Sequence, residues 1–407
     1  MTQMQERVHA IADDALGSDD ATGVAERIRA GEISPHEAVA AAIDRVRAVE
    51  QLGAVAEWDD ERALRRAEAL GAAGSGAFHG VPCGIKENVL TAGLPIRMGS
   101  QAVPPTLVEH DGGVATQLLA TGAVPVVQTT CPPFGWTATT ERVGPLPTRN
   151  PWHTGYSSGG SSGGTAALVA AGALPFAHGN DGGGSIRIPA AACGLVGLKA
   201  TRGRFAEDST TKRMPVKIVV DGVLTRSVRD TARYLAAAET HQAPKGWDPV
   251  GLVEGPGERR LRVGFLIDSP LAPATDAETS AAVRATVELL ASLGHRVDDT
   301  YEPAVPKSFK ADFLHYWSML AFAIHRDGPR MFGKDFDRAK LDPFTLGHLD
   351  LARRAVAAGR IADHPAQLDH VDRVADRVVA VAGTELAVLE RADQVALVEW
   401  LGAPRDG

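Results

Sequence analysis

Cysteine is scarce in this chain of 407 residues, and the three that occur form no C-x-x-C pair: Cys83, Cys131 and Cys193. An odd number of widely spaced cysteines gives no basis for a disulfide framework, so we expect reduced thiols and a cytoplasmic location. Positive charge is also limited, because the formal net charge is −8. This acidic balance gives no reason to expect nucleic acid or a membrane as a partner.

Long apolar runs are missing as well. The stretch from Met1 to Gly17 is charged and lacks the apolar segment of a secretory signal. The longest apolar segments elsewhere are rich in alanine and interrupted by glycine or proline, so they are too short to cross a bilayer. Apolar residues make up 44% of the chain and charged residues 23%, which is typical of an ordinary globular protein.

Helix and strand patterns alternate along the first half. The sequence SPHE, from Ser34 to Glu37, predicts a capping box, and Val39, Ile43 and Val46 follow at helical spacing. Three further patterns predict a helix near 60–70, a helix at 114–122 and a buried strand at 123–130, and residues 80–93 indicate a strand edge with turns. This alternation predicts an α/β fold.

The second half predicts a β-α-β unit and then mostly helix. The unit comprises 261–267, the helix 276–293 and the sequence HRVDD, and the aromatic segment 313–325 is predicted to be a core helix. An apolar stripe follows at Leu368, Val371, Val374, Val378 and Val381. A group of His364, Asp369, His370 and Asp372 is interpreted as the solvated start of a helix, since histidines six residues apart do not share a helical face.

Two stretches rich in glycine and serine, at 157–165 and 182–185, lie in the centre of the chain. A flexible linker is a poor interpretation, because the first stretch passes directly into the apolar sequence AALVAAGALPFA. A phosphate cradle is also a poor one, since neither the Walker pattern nor G-x-G-x-x-G is present. Residues 160–164 match G-x-S-x-G, but that elbow needs a preceding strand, and NPWHTGYSS is not predicted to form one.

Ser185 follows three consecutive glycines and is the candidate nucleophile. Glycine amides can converge on one point and stabilise an oxyanion, and a short helix after Ser185 would add its dipole. The base is less clear from the residues. His178 is predicted to lie in a strand, where a histidine is more often structural. Lys86 could be neutral if it is buried, but a single lysine is more often a surface residue.

Several motifs together resemble the amidase signature family. They are GVPCGIKENVLTAGLPIRMGS, TRNPW, the long segment GGSSGGTAALVAAGALPFAHGNDGGGSIRIPAAACGLVGLKATRGRF, and GVLTRSVRD. The resemblance extends over about 21–297, and parts of it are similar to the branch that contains 6-aminohexanoate cyclic dimer hydrolase. It implies a central mixed, twisted β-sheet with helices on both faces. It also implies one amidase domain over 1–407, with a catalytic core at 21–240 and a variable helical part at 241–407.

The resemblance also assigns the chemistry. The family uses a Ser–cis-Ser–Lys triad, and the matching residues here are Ser185 as nucleophile, Ser161 as cis-serine and Lys86 as base. The N–H groups of Gly182, Gly183, Gly184 and Ser185 match the oxyanion loop, and Ser162, Asp181 and Arg187 are predicted to support it. The implied activity is hydrolysis of a carboxamide C–N bond in a small or medium organic molecule. No metal or other cofactor is expected, and the protein would act alone or as a homodimer.

The match to the family pattern has departures. Gly182 and Glu87 stand where the family usually has a threonine and an aspartate, and the family's final strand segments are not found. We therefore expect the sheet to lack its last strands. Two alternatives stay open at this point: a glutamine-hydrolysing subunit of an amidotransferase complex, and a truncated, inactive relative.

Overall fold

A computed structural model describes residues 7–71, 74–142, 146–212, 214, 217–244, 246–268, 273–298 and 308–357. The predicted apolar stripe at 368–381 and the His/Asp group at 364–372 lie outside these residues. Two compact units are defined by the contacts within the chain. The larger comprises Met1–Val253 with Ala321–Leu349, and the smaller comprises Glu254–Leu320 with Asp350–Gly407. The proposal of one amidase domain with a core at 21–240 stays a prediction.

The described helices are α1 (Ala21–Ala30), α2 (Pro35–Ala48), α3 (Asp60–Leu70), α4 (Gly113–Ala120), α5 (Gly163–Ala170), α6 (Arg187–Cys193), α7 (Ser209–Lys212), α8 (Val228–His241), α9 (Ala277–Ser292), α10 (Phe309–Phe332) and α11 (Pro343–Ala357). The described strands are β1 (Val55–Trp58), β2 (Pro82–Lys86), β3 (Pro95–Ile96), β4 (Thr106–Leu107), β5 (Val124–Thr129), β6 (Arg149–Asn150), β7 (His153–Ser157), β8 (Phe176–Asp181), β9 (Val196–Gly197), β10 (Val220–Thr225), β11 (Arg262–Gly264) and β12 (Arg296–Asp298).

Six strands form a mixed sheet in the larger unit, in the order β1-β5-β2-β8-β10-β9. The three inner strands β5, β2 and β8 are parallel, whereas β1, β10 and β9 pair antiparallel with their neighbours. Helices α2, α5 and α8 pack against these strands. The predicted α/β class and mixed sheet are therefore confirmed. Every residue of β2 and β5 is buried, including Lys86 at the end of β2 and Gln128 and Thr129 at the end of β5. The burial of β5 confirms the buried strand predicted at 123–130.

Local signals in the sequence match the observed helix ends. The Ser34 side chain accepts a hydrogen bond from Glu37 N (3.1 Å), and the Glu37 carboxylate accepts one from Ser34 N (2.7 Å), so the predicted capping box is confirmed. Helix α2 then buries Val39, Ile43 and Val46, the apolar stripe expected from their spacing.

The smaller unit contains the predicted β-α-β arrangement. Strands β11 and β12 pair in parallel, and α9 connects them. Strand β11 has three residues, so it is shorter than the segment 261–267 that was predicted for it. The segment 313–325 is helical, within α10, and Tyr316 in it is fully buried.

One expectation about the glycine- and serine-rich centre was wrong. The residues before Gly160 do contain a strand, β7, because it pairs antiparallel with β6 in a separate two-stranded sheet. Composition disfavoured a strand here, but hydrogen bonds to an adjacent strand compensate for weak intrinsic propensity. Since β7 belongs to a small hairpin and not to the main sheet, it does not supply the strand that a hydrolase elbow requires.

Candidate active site

Lys86 is the last residue of the buried strand β2, and its side chain has no solvent exposure. Its Nζ lies 2.8 Å from Ser161 Oγ, 3.1 Å from Ser162 Oγ and 2.7 Å from Asn180 Oδ1. The interpretation of Lys86 as an ordinary surface lysine is therefore wrong. Three polar oxygens hold the nitrogen at one point in the interior of the larger unit.

Burial lowers the pKa of Lys86 from 10.5 to about 8, since the ammonium form loses its hydration. Cys131, Asp221, Asp181 and Glu87 act in the opposite direction and keep this pKa from falling further. A lysine with this pKa is neutral in a substantial fraction of molecules near pH 8, and the neutral amine can accept a proton.

Glu87 follows Lys86 in the chain and is also fully buried. Burial raises the pKa of Glu87, while Arg142 and the backbone N–H of Cys131 oppose that rise. The Arg142 Nη2 lies 3.3 Å from Glu87 Oε2, and Cys131 N donates to Glu87 Oε1 at 2.9 Å. Arg142 therefore compensates much of the negative charge that Glu87 would otherwise place beside the lysine.

The serine pair lies at the start of α5, and the peptide bond between Gly160 and Ser161 is cis. Residues 158–169 are all buried, so the linker interpretation is excluded. The glycines are required by close packing of backbone against backbone. A Cβ on Gly160 would lie 2.6 Å from Thr139 O, and one on Gly164 would lie 2.4 Å from Thr130 N.

Ser185 lies in the turn between β8 and α6 and is partly exposed. Its carbonyl oxygen accepts a hydrogen bond from Ser162 N at 3.2 Å, which ties this turn to the serine pair. The structure thus brings the turn that carries Ser185 to the segment that contains Ser161 and Ser162. Ser185 is thus more exposed than Lys86, Ser161 and Ser162, which are all buried.

Asp181 holds the glycine turn through hydrogen bonds to its backbone N–H groups. Its carboxylate is fully buried and accepts hydrogen bonds from Gly184 N (2.7 Å), Ile186 N (3.2 Å) and Arg187 N (3.3 Å). The Arg187 guanidinium binds both oxygens at 2.9 Å. Burial acts to raise the pKa of Asp181, but these hydrogen bonds and the positive charge of Arg187 outweigh it and hold the pKa below 3.8.

One predicted oxyanion donor is engaged elsewhere. The N–H of Gly184 donates to Asp181 Oδ1 at 2.7 Å, so it is committed to the carboxylate and is not counted among the oxyanion donors. The resemblance assigned it by position in the loop, but the direction of an N–H depends on the local backbone. Gly184 has φ +120°, which is in the region that favours glycine.

His178, the other candidate base, is buried in β8 and directed at a carboxylate. Its Nε2 lies 3.1 Å from Asp221 Oδ1, across the pairing of β8 with β10. The structural role that is more common for a strand histidine agrees with this geometry. Its contact with Asp221 does not link it to Ser185.

Asn180 is a residue in contact with Lys86 that the sequence reasoning missed. It precedes Asp181 in β8, and its side chain reaches Lys86 Nζ although 94 residues separate them in the chain. The only signal in the sequence is its place beside the glycine loop. Contact with Lys86 depends on β8 lying next to β2 in the sheet.

A cavity of about 530 Å³ in the larger unit is lined in part by Arg142. Its lining residues are Arg97, Gly99, Ser100, Gln101, Val103, Pro104, Pro105, Pro133, Arg142, Asp335, Asp337, Lys340 and Asp342. Neither Ser161 nor Ser185 belongs to this lining. The chemistry of the site is therefore indicated by the contacts of Lys86 and not by this cavity.

Two findings concern the described part of the chain. No group of three or more His, Cys, Asp or Glu side chains there is arranged to hold a metal ion. None of the helices in these residues combines the length and apolar character needed to cross a membrane.

Comparison with known proteins shows the family to which the chain belongs. The sequence signature of the Amidase family matches residues 37–356. A putative amidase AmiC of Mycobacterium leprae is 47% identical over 351 residues, covering 84% of this chain and 72% of the relative. A 6-aminohexanoate-cyclic-dimer hydrolase of Paenarthrobacter ureafaciens is 39% identical over 326 residues, covering 76% and 65%.

Solved structures of amidase signature enzymes are also similar to this chain. The structure of 6-aminohexanoate cyclic dimer hydrolase has a TM-score of 0.76 at 32% identity, covering 92% of this chain and 77% of that one. A bacterial aryl acylamidase of the amidase signature enzymes has a TM-score of 0.77 at 25% identity, covering 92% and 78%. The chain belongs to the amidase family, and it is an enzyme of the class that hydrolyses C–N amide bonds.

Proposed function

We propose that this protein hydrolyses the carboxamide C–N bond of a small or medium organic molecule through an acyl-enzyme on Ser185, with Ser161 relaying protons to Lys86. The observation that carries the proposal is the buried Lys86 Nζ, 2.8 Å from Ser161 Oγ. A buried amine next to a hydroxyl is a base for that hydroxyl, and Ser161 would in turn accept the proton of Ser185.

Each step conserves atoms and charge. Neutral Lys86 takes the proton of Ser161 as Ser161 takes that of Ser185, and the Ser185 oxygen forms a bond to the amide carbon. The oxyanion is held by the N–H groups of Gly182, Gly183 and Ser185. The C–N bond then breaks while the relay returns the proton to the leaving amine. A water molecule, deprotonated by the same relay, then attacks the ester carbon. The C–O bond to Ser185 breaks, and the relay returns the proton to the Ser185 oxygen.

Asp181 and Arg187 support this chemistry without taking part in proton transfer. Their ion pair holds the turn on which Ser185 and the proposed oxyanion donors lie. Because the Asp181 carboxylate is ionised and fully hydrogen-bonded, it is a poor proton acceptor. Its proposed role is to keep the turn in the geometry that the reaction needs.

The relatives support a panel of substrates. Two similar proteins are named for hydrolysis of the cyclic dimer of 6-aminohexanoate, and another is an aryl acylamidase. We therefore expect activity on at least one member of a panel of linear aliphatic, aryl and cyclic amides, detected as released amine. Labelling of the protein by a serine-directed fluorophosphonate, mapped by mass spectrometry, should fall on Ser185. Absence of both turnover and labelling would contradict the proposal.

The rate should rise with pH through the pKa of Lys86. The relay needs neutral lysine, and burial lowers the pKa of Lys86 to about 8, so kcat/KM should be small at about pH 6.5 and half-maximal near pH 8. The measurement is kcat/KM from about pH 6 to pH 10 on the best amide of the panel. A rate independent of pH across this range would argue against Lys86 as the base.

A further inference from the structure

Three oxygen atoms surround Lys86 Nζ, and they differ in whether they can donate a hydrogen bond to the lone pair of the neutral amine. They are Asn180 Oδ1 at 2.7 Å, Ser161 Oγ at 2.8 Å and Ser162 Oγ at 3.1 Å. In the ammonium form, three N–H groups donate to these three oxygens. When one proton leaves, the nitrogen keeps two N–H groups and gains a lone pair, so one of the oxygens must now supply a hydrogen.

Asn180 cannot supply that hydrogen. Its Oδ1 is a carbonyl oxygen and only accepts. Its Nδ2 donates to Asn88 Oδ1 at 3.3 Å, which orients the amide so that Oδ1 faces the lysine. Asn180 therefore receives an N–H from Lys86 in both protonation states.

Ser162 is directed elsewhere as well. Its hydroxyl donates to the backbone oxygen of Asn180 at 3.4 Å, so its oxygen accepts from Lys86 Nζ. With two N–H groups engaged by Asn180 and Ser162, the lone pair of neutral Lys86 is left facing Ser161. Asn180 thus makes two hydrogen bonds in this network: its side-chain oxygen accepts from Lys86, and its backbone oxygen accepts from Ser162.

We propose that Asn180 is a positioning residue that directs the lone pair of neutral Lys86 at the hydroxyl of Ser161, and so sets the direction of the proton relay. This inference rests on the proposed function, because it takes Lys86 as the base. The hydrogen bonds of Asn180 in this network go to Lys86, Ser162 and Asn88, so its proposed action on the reaction runs through the lysine.

The neutrality of Asn180 matters because negative groups already face Lys86. Glu87, Asp181 and Asp221 all favour the ammonium form. Each of the three has a partner of its own, namely Arg142, Arg187 and His178 respectively. Cys131 also faces the lysine, and burial raises the pKa of its thiol well above the usual value. A carboxylate at position 180 would be in direct contact with Nζ and would have no such partner.

The test compares Asn180→Asp with the wild-type chain by the rate of fluorophosphonate labelling at Ser185 as a function of pH. Asp has the same shape as Asn, but its charge should raise the pKa of Lys86 by about one unit or more. The midpoint of the labelling profile should move up by that amount, so labelling near pH 7.5 should be about tenfold slower or more. The difference should close at high pH.

Two further variants separate charge from position. Asn180→Ala removes the acceptor and adds no charge, so its midpoint should not rise, and its plateau should fall about tenfold. Asn88→Asp places a carboxylate beside Asn180 and not in direct contact with Lys86 Nζ. The midpoint of its labelling profile should therefore rise less than that of Asn180→Asp. Thermal unfolding reports whether each variant folds, and Asn180→Ala decides the matter if Asn180→Asp does not.

A wild-type midpoint in folded Asn180→Asp, or a wild-type plateau in folded Asn180→Ala, would overturn the positioning role of Asn180 while leaving Ser185 as the nucleophile. Failure of the proposed function looks different, because the wild-type chain itself would then not be labelled at Ser185. That result would remove the inference together with the function.

Discussion

Replacing Ser185 by alanine is expected to lower amide hydrolysis by at least about 10⁴-fold and to abolish fluorophosphonate labelling. Ser161 and Ser162, the serines next to Lys86, are not expected to take over, because they are buried whereas Ser185 is partly exposed. The remaining members of the site cannot form the acyl-enzyme, so only binding and oxyanion stabilisation would persist. The measurement is kcat/KM on the best amide, together with mass spectrometry of the labelled protein.

Folding should survive the Ser185→Ala change. The hydrogen bond that ties this turn to the serine pair uses the backbone oxygen of Ser185, which alanine keeps. Ser209→Ala is a matched control, because Ser209 is exposed at the start of α7, and it should keep wild-type activity. Turnover by Ser185→Ala within about tenfold of the wild-type rate would remove Ser185 from the role of nucleophile.

Replacing Lys86 by methionine is the second large effect, and we expect kcat to fall by about 10²- to 10⁴-fold, the usual contribution of a general base. Methionine has a similar length and no proton acceptor, so the Ser161 hydroxyl would lose its base. Lys217→Met makes the same chemical change at an exposed ion pair with Glu207 and should leave the rate unchanged. A rate for Lys86→Met near that of the control would mean that the relay ends elsewhere.

The stability of Lys86→Met follows from the pKa of Lys86. The folded-state pKa, about 8, lies below the ordinary 10.5, so below pH 8 both states are protonated and the burial cost is fully present. That cost is about 3 kcal/mol. Between pH 8 and 10.5 the unfolded chain binds more protons, so wild-type stability should rise with pH in this window. Methionine removes the cost, which offsets the loss of hydrogen bonds to three oxygens.

Thermal unfolding of wild type and Lys86→Met at about pH 7 and pH 9.5 checks this assignment. The wild type should gain stability relative to the variant as the pH rises, because only the wild type carries the titrating amine. An equal response of both proteins would show that Lys86 does not titrate with a lowered pKa.

The elements of the larger unit were predictable where local chemistry decides them. The capping box at Ser34 and Glu37 needs only residues three apart, and the apolar run at 123–127 indicates the buried strand at 123–130. Strand β7 was missed for the opposite reason, because its pairing with β6, and not its own composition, stabilises it. The His/Asp group at 364–372 lies outside the described residues and stays a prediction.

The site divides in the same way. The amino-acid sequence by itself determined the family, and the resemblance to that family singled out Lys86, Ser161 and Ser185, since the motifs around them are specific and continuous in the chain. Only the tertiary structure decided that Lys86 is buried, that Asn180 and Ser162 share its nitrogen, and that the Gly184 N–H is committed to Asp181. The physical reason is that burial and the direction of hydrogen bonds depend on strands β2 and β8 lying side by side, and residues 94 positions apart carry no local sign of that contact.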